Sequence, residues 1–171
     1  MQTITFYLII FNFFSQHKAE FNKFCRKNGL TVGEYKCPTK SIVQLWKKNY
    51  MNGMDDSLFR ALFQIHLAQC GFSHELTIYK KILSFKKERA MHERREIGCK
   101  ILVEHFDNSS IQKVAMSKEM IDKVRGSFSR YGRPFPKVYN SILQVVKHRL
   151  EGCHASFQSS KLFNDLESIV P

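Results

Sequence analysis

The stretch that most limits what this chain can fold into is Leu58 to Lys87, LFRALFQIHLAQCGFSHELTIYKKILSFKK. Leu58, Phe59, Leu62, Phe63, Ile65 and His66 recur at i, i+3, i+4 and i+7 spacings, so a helix here carries a mostly apolar stripe. Gly71 has no Cβ and can take the left-handed conformation that ends a helix without steric cost. Ser73 is the expected N-cap of a second helix, since its hydroxyl can accept from a first-turn N–H. That helix turns Leu76, Tyr79, Ile82 and Leu83 inward and leaves Lys80, Lys81, Lys86 and Lys87 to water. The two read as a core hairpin.

The remaining chain follows the same pattern. With 171 residues, 15 Phe and only 8 Gly and 4 Pro, it suits one domain of long helices better than many short strands. Residues 3–14, TITFYLIIFNFF, are the most apolar segment, yet a membrane span needs about 20 apolar residues. Three readings of it stay open: a core helix or strand, the end of a longer hydrophobic segment, or an interfacial anchor. Lys18 to Asn28 places Phe21, Phe24 and Cys25 on one face beside Lys23, Arg26 and Lys27, which suits a short surface helix ending at Asn28-Gly29 or one lying on anionic lipid. A loop over 30–40 separates this N-terminal extension (1–40) from a helical domain (41–171).

Within that domain Ser41 is the expected cap of a helix carrying Ile42, Val43, Leu45 and a core Trp46. Asp55 or Asp56 caps the hairpin. The charged run 88–96 leads into a helix over 96–107, and periodicity does not decide whether the run itself is helix or loop. Asp107 to Ser110 is a breaker, and Ser117 caps a helix carrying Ile121, Val124 and Phe128. After a loop through Pro134 and Pro136, Val138 to Leu150 forms an amphipathic helix with Tyr139, Ile142, Leu143, Val146 and Leu150 on one stripe. Gly152 is expected to break it, and Leu162, Phe163, Leu166, Ile169 and Val170 fall on a last helix. No strand signal appears, so the fold class is all-α, a helical bundle.

The chemistry of the sequence points to binding. It has no phosphate-cradling loop, no H-E-x-x-H and no G-x-S-x-G, so no catalytic residue, cofactor or metal ligand is assigned. His66 and His105 sit on or near apolar faces and read as core histidines. Five cysteines without a C-x-x-C argue against a zinc site or disulfide framework, and reduced thiols suit a cytoplasmic location, with membrane association left open. A net charge of +12 draws the chain toward acidic surfaces, whether anionic lipid, nucleic acid or an acidic protein.

The order of segments then becomes informative. FRALFQIHL, F-S-H-E-L-x-I-Y six residues ahead of F-K-K, K-I-L-V-E-H-F at 100–106, V-A-M-S at 114–117, F-P-K-V-Y-N-S-I at 135–142 and S-F-Q-S-S-K-L-F-N-D-L at 156–166 together resemble a regulator of G-protein signalling (RGS) domain over roughly 42–167. The resemblance implies a nine-helix array in two subdomains, a terminal one from both chain ends and a central four-helix bundle. It also implies binding to a G-protein α subunit as a GTPase-activating or scaffolding regulator, one that brings no catalytic residue because the α subunit supplies its own arginine and glutamine. The implied partner surface comprises His74, Glu75, Ser117, Lys118, Arg133, Pro134, Phe135, Ser156, Ser159 and Lys161; the plainer reading is that these are only helix-connecting loops.

This chain departs from the family pattern at several of these places. Glu75 stands where the family has an Asn, and a carboxylate cannot donate as an amide does. Ser117 stands where an acidic residue is expected, Ala155 and Ser156 where basic ones are, and Pro136 where an Asp is. The alternative reading, a basic helical module for anionic lipid or nucleic acid, needs Lys80, Lys81, Lys86, Lys87 and Arg89 clustered on one exposed face; nucleic acid is the less expected partner.

Overall fold

The computed structural model describes residues 16–131 and 135–171, so the apolar segment 3–14, Arg133 and Pro134 lie outside the described residues. Nine helices and no strand occur among the described residues, as the all-α reading expects. A first helix, α1, runs over residues 16–27. The others are α2 (Lys40–Lys48), α3 (Tyr50–Gly53), α4 (Ser57–Gln69), α5 (Glu75–Lys87), α6 (Met91–Phe106), α7 (Lys118–Tyr131), α8 (Asn140–Gln158) and α9 (Lys161–Ile169).

Local chemistry sets many of the ends. Asp56 caps α4, its carboxylate accepting from the Phe59 N–H at 3.0 Å. Gly71, at φ +77°, closes that helix. The Phe72 N–H bonds to the Leu67 carbonyl at 2.8 Å and the Gly71 N–H to Ala68 at 3.1 Å, the paired bonds of a Schellman motif. Ser117 caps α7 through the Met120 N–H at 3.3 Å. Gly29, at φ +70°, ends α1.

Other ends differ from expectation. The cap of α2 is Thr39, whose hydroxyl accepts from Ile42, while Ser41 bonds the Thr39 hydroxyl. The N-cap of α5 is His74 and not Ser73, and the His74 side chain makes no capping bond. The charged run divides: Glu88 to Ala90 form the break, where the Glu88 carboxylate accepts from the Ala90 N–H at 2.8 Å, and α6 starts at Met91. Gly152 does not stop α8, which continues to Gln158. Glycine inside a helix costs about 1 kcal/mol, and the residues just beyond it, Cys153, His154 and Phe157, are all buried. Finally, the hairpin of this region is formed by α5 and α6, which pack along one another.

The chain forms two compact units, 1–66 with 153–171 and 67–152. The terminal unit, made from both chain ends, has an aromatic centre. Phe157 meets Phe59, Phe63 and Phe163 with ring centroids 5.8, 5.6 and 5.0 Å apart, and Trp46 lies 5.4 Å from Phe59. His154 Nε2 is 2.8 Å from the Trp46 carbonyl, and Gln158 donates to the Lys47 carbonyl at 2.9 Å. Phe21, Phe24 and Cys25 of α1 are buried, and Lys27 pairs with Asp165 at 2.6 Å. The face that could have lain on lipid is thus turned into the protein.

The central unit holds α5, α6, α7 and the greater part of α8, the four-helix bundle expected. Gly98 on α6 lets helices close in, for a Cβ there would overlap the Phe128 ring of α7. Tyr139 packs edge-on against Phe85 at 5.1 Å and its hydroxyl donates to the Gly98 carbonyl at 2.7 Å. His105 is fully buried and lies 3.0 Å from the Gln112 carbonyl through Nδ1. The Val114 N–H returns to the His105 carbonyl at 2.9 Å, which pins the α6–α7 connection to the end of α6.

Candidate partner-binding surface

In the central unit the antiparallel α5–α6 hairpin brings the start of α5 to the end of α6, with Lys81 of α5 paired to Glu104 of α6. His74 and Glu75 therefore lie at the same end as the α6–α7 connection. His74 is half-buried at the N-cap position. Glu75 is 4% exposed, and its Oε1 is 3.3 Å from the Arg149 guanidinium of α8. Arg149 also lies over the Phe72 ring, 5.8 Å from its centroid. Burial pushes the Glu75 carboxyl up from the ordinary glutamate value, with the positive Arg149 opposing. The start of α5 thus leaves His74 and Phe72 half-buried while Glu75 is held inside.

Ser117 and Lys118 are exposed at the start of α7. Lys118 lines a groove of about 270 Å³ with Phe106, Lys113, Met116, Ile121 and Arg125. Ser117 lines a second, of about 190 Å³, together with Met120, Val124 and Val138. Val138 belongs to the turn that opens at Phe135, whose carbonyl accepts from the Val138 N–H at 3.0 Å, and Phe135 is 65% exposed. The central unit thus brings His74, Glu75, Ser117 and Lys118 to one end and sets the Phe135 turn beside Ser117. Arg133 and Pro134 lie outside the described residues.

Ser156, Ser159 and Lys161 belong to the terminal unit, at the α8–α9 turn, and all three are exposed. The Ser156 hydroxyl donates to the Cys153 carbonyl at 2.9 Å and lies 2.8 Å from His66 Nε2, so His66 is the donor in that pair. Burial lowers the His66 pKa, which keeps the ring neutral near pH 7. Ser159 faces the Ala155 carbonyl at 3.5 Å, and Ser160 caps α9 through the Phe163 N–H at 3.2 Å.

Arg149 was not among the residues read from the sequence. It sits in a polar run, Lys147-His148-Arg149, on a helix whose apolar stripe drew attention, and its partner is 74 positions away. The lysine face fares differently from its expectation. Lys80, Lys87 and Arg89 are exposed, but Lys81 is paired with Glu104 and Lys86 donates to Asn140 at 3.1 Å. Among the described residues no group of His, Cys, Asp and Glu is placed to hold a metal ion, and no helix is long and apolar enough to cross a membrane.

The described residues thus form an all-helical array with one unit drawn from both ends of the chain and a second built as a four-helix bundle. The family model of the regulator of G protein signaling domain matches residues 50–166, and the chain belongs to that family. No curated protein matches the chain. Family membership makes it a member of the G-protein signalling regulators, whose domains accelerate GTP hydrolysis by a partner and are not themselves the catalyst.

Proposed function

We propose that this domain binds an activated G-protein α subunit through the end of its central bundle, and that it acts chiefly as a scaffold or effector-type regulator with weak acceleration of GTP hydrolysis. The observation that carries the reading is Glu75. At the position where the family resemblance implies an amide that touches the partner's switch region, this chain has a carboxylate that is 4% exposed and engaged by Arg149. Acceleration by such a module comes from holding the partner's own groups in their transition-state arrangement. A buried, ion-paired carboxylate offers no N–H for that task.

Binding has other contributors. Phe135 supplies an exposed aromatic side chain and Lys118 a cation on a separate groove, residue types that anchor protein interfaces or set their charge match. Single-turnover GTP hydrolysis across a panel of α subunits, with pull-down of the forms bound to a transition-state mimic, tests the reading. The expected result is capture of at least one mimic-bound α subunit with acceleration below about tenfold, which is less than about 1.4 kcal/mol off the barrier. Strong acceleration would refute the scaffold assignment, and failure to capture any α subunit would refute the partner.

A further inference from the structure

Among the described residues eight large apolar side chains are markedly exposed, and four of them, Val32, Ile42, Leu45 and Met51, fall within twenty positions of one another in the terminal unit. Ile42 and Leu45 are three residues apart on α2 and so share its outward face, with Leu45 49% exposed. Met51, 42% exposed, follows on α3, which packs on α2 and is tied to it where Asn52 donates to the Leu45 carbonyl at 3.1 Å. The adjoining face of α2 carries Val43 and Trp46 into the core, while Ile42 and Leu45 stay exposed.

The charge around this face is one-sided. Residues 16–53 hold eight Lys and Arg against two Glu, half of the molecule's net charge in under a quarter of its length. Two of these cations are neutralised, Lys27 by Asp165 and Lys47 by Glu167. Lys36, Lys40 and Lys48 are exposed and take part in none of the ion pairs among the described residues. On α2 Lys48 lies about 60° round the helix from Leu45, and Lys40 lies at the far edge of the exposed arc. Exposed apolar side chains in a unit with exposed, unneutralised lysines match the interface of an anionic bilayer, where the former enter the acyl boundary and the latter meet the headgroups.

We infer that the exposed face of α2 and α3, with Ile42, Leu45 and Met51 and the exposed Lys36, Lys40 and Lys48 of the same segment, is a docking surface for an anionic membrane. The α1 face is excluded from this role because Phe21, Phe24 and Cys25 are buried. The test is co-sedimentation of the full chain with phosphatidylcholine vesicles, with and without phosphatidylserine. Binding should require phosphatidylserine and weaken with added salt. Lys40→Glu with Lys48→Glu should lower partitioning at least about twentyfold, given about fivefold per lysine near a charged surface. Leu45→Glu with Met51→Glu should lower it as well, whereas Val103→Glu on α6, at a side chain 62% exposed, should not. Leu45→Ser with Met51→Ser gives the same comparison with a milder change. Circular dichroism verifies that each variant is folded. No binding, equal binding to vesicles lacking phosphatidylserine, or binding untouched by both the α2–α3 and lysine variants would overturn the inference; the last outcome would assign adhesion to another part of the chain.

Discussion

The Glu75–Arg149 pair decides how the tip of the central bundle behaves, and its energetics can be separated by pH. Burial raises the folded-state pKa of Glu75, so the fold binds that proton more tightly than the unfolded chain does. Its favourable contribution is therefore complete below the ordinary value of 4.5 and is lost as pH rises through the raised value. Arg149 is the main group that opposes this burial and favours the charged carboxylate. Arg149→Ala should then destabilise the domain by roughly 3 kcal/mol at pH 7, the usual cost of stranding one member of a buried pair. That deficit should shrink as Glu75 becomes protonated in acid. Glu75→Gln, neutral throughout, should be at least as stable as the wild type at pH 7 and lose any advantage near pH 4.5. Urea unfolding at both pH values measures this, and a glutamine variant weaker by more than about 1 kcal/mol at pH 7 would mean that the ion pair outweighs its desolvation.

At the level of elements, Gly98 of α6 and Gly152 of α8 should respond to alanine with opposite signs. A Cβ on Gly98 falls into the Phe128 ring, whereas one on Gly152 meets no atom within 4 Å. Gly152→Ala should add about 0.5–1 kcal/mol of stability by removing backbone freedom from the unfolded chain, and Gly98→Ala should cost about 1–3 kcal/mol through overpacking. Thermal melts of both variants check the signs. The same contrast explains what the sequence discloses. The end of α4 at Gly71 and its start at Asp56 were legible because each depends on a few adjacent backbone groups. The continuation of α8 through Gly152 was not, since burial of Cys153, His154 and Phe157 decides it from a distance. Ser41 and Ser73 were misread as caps because several polar residues stand close together, and the fold selects Thr39 and His74 among them. At the site, segment order placed His74 and Ser117 at connections, but no local pattern reveals that Glu75 turns inward to an arginine 74 positions on.

At the scale of the whole molecule, the chain divides into a terminal unit and a central bundle, and the two proposals fall on different units. On this account the end of the central bundle engages the α subunit, while the α2–α3 face of the terminal unit engages lipid. The two activities should be separable by mutation. The claim at the centre is that an activated α subunit is held at the bundle end, and affinity tests it most directly. Titration of the domain into α subunits bound to GDP, with and without a transition-state mimic, should show preference for the mimic-bound form. Phe135→Ala and Lys118→Glu should each weaken that binding by roughly tenfold, as truncation or reversal of an interface anchor does. Equal affinity for both nucleotide states, or binding indifferent to both substitutions, would contradict the account.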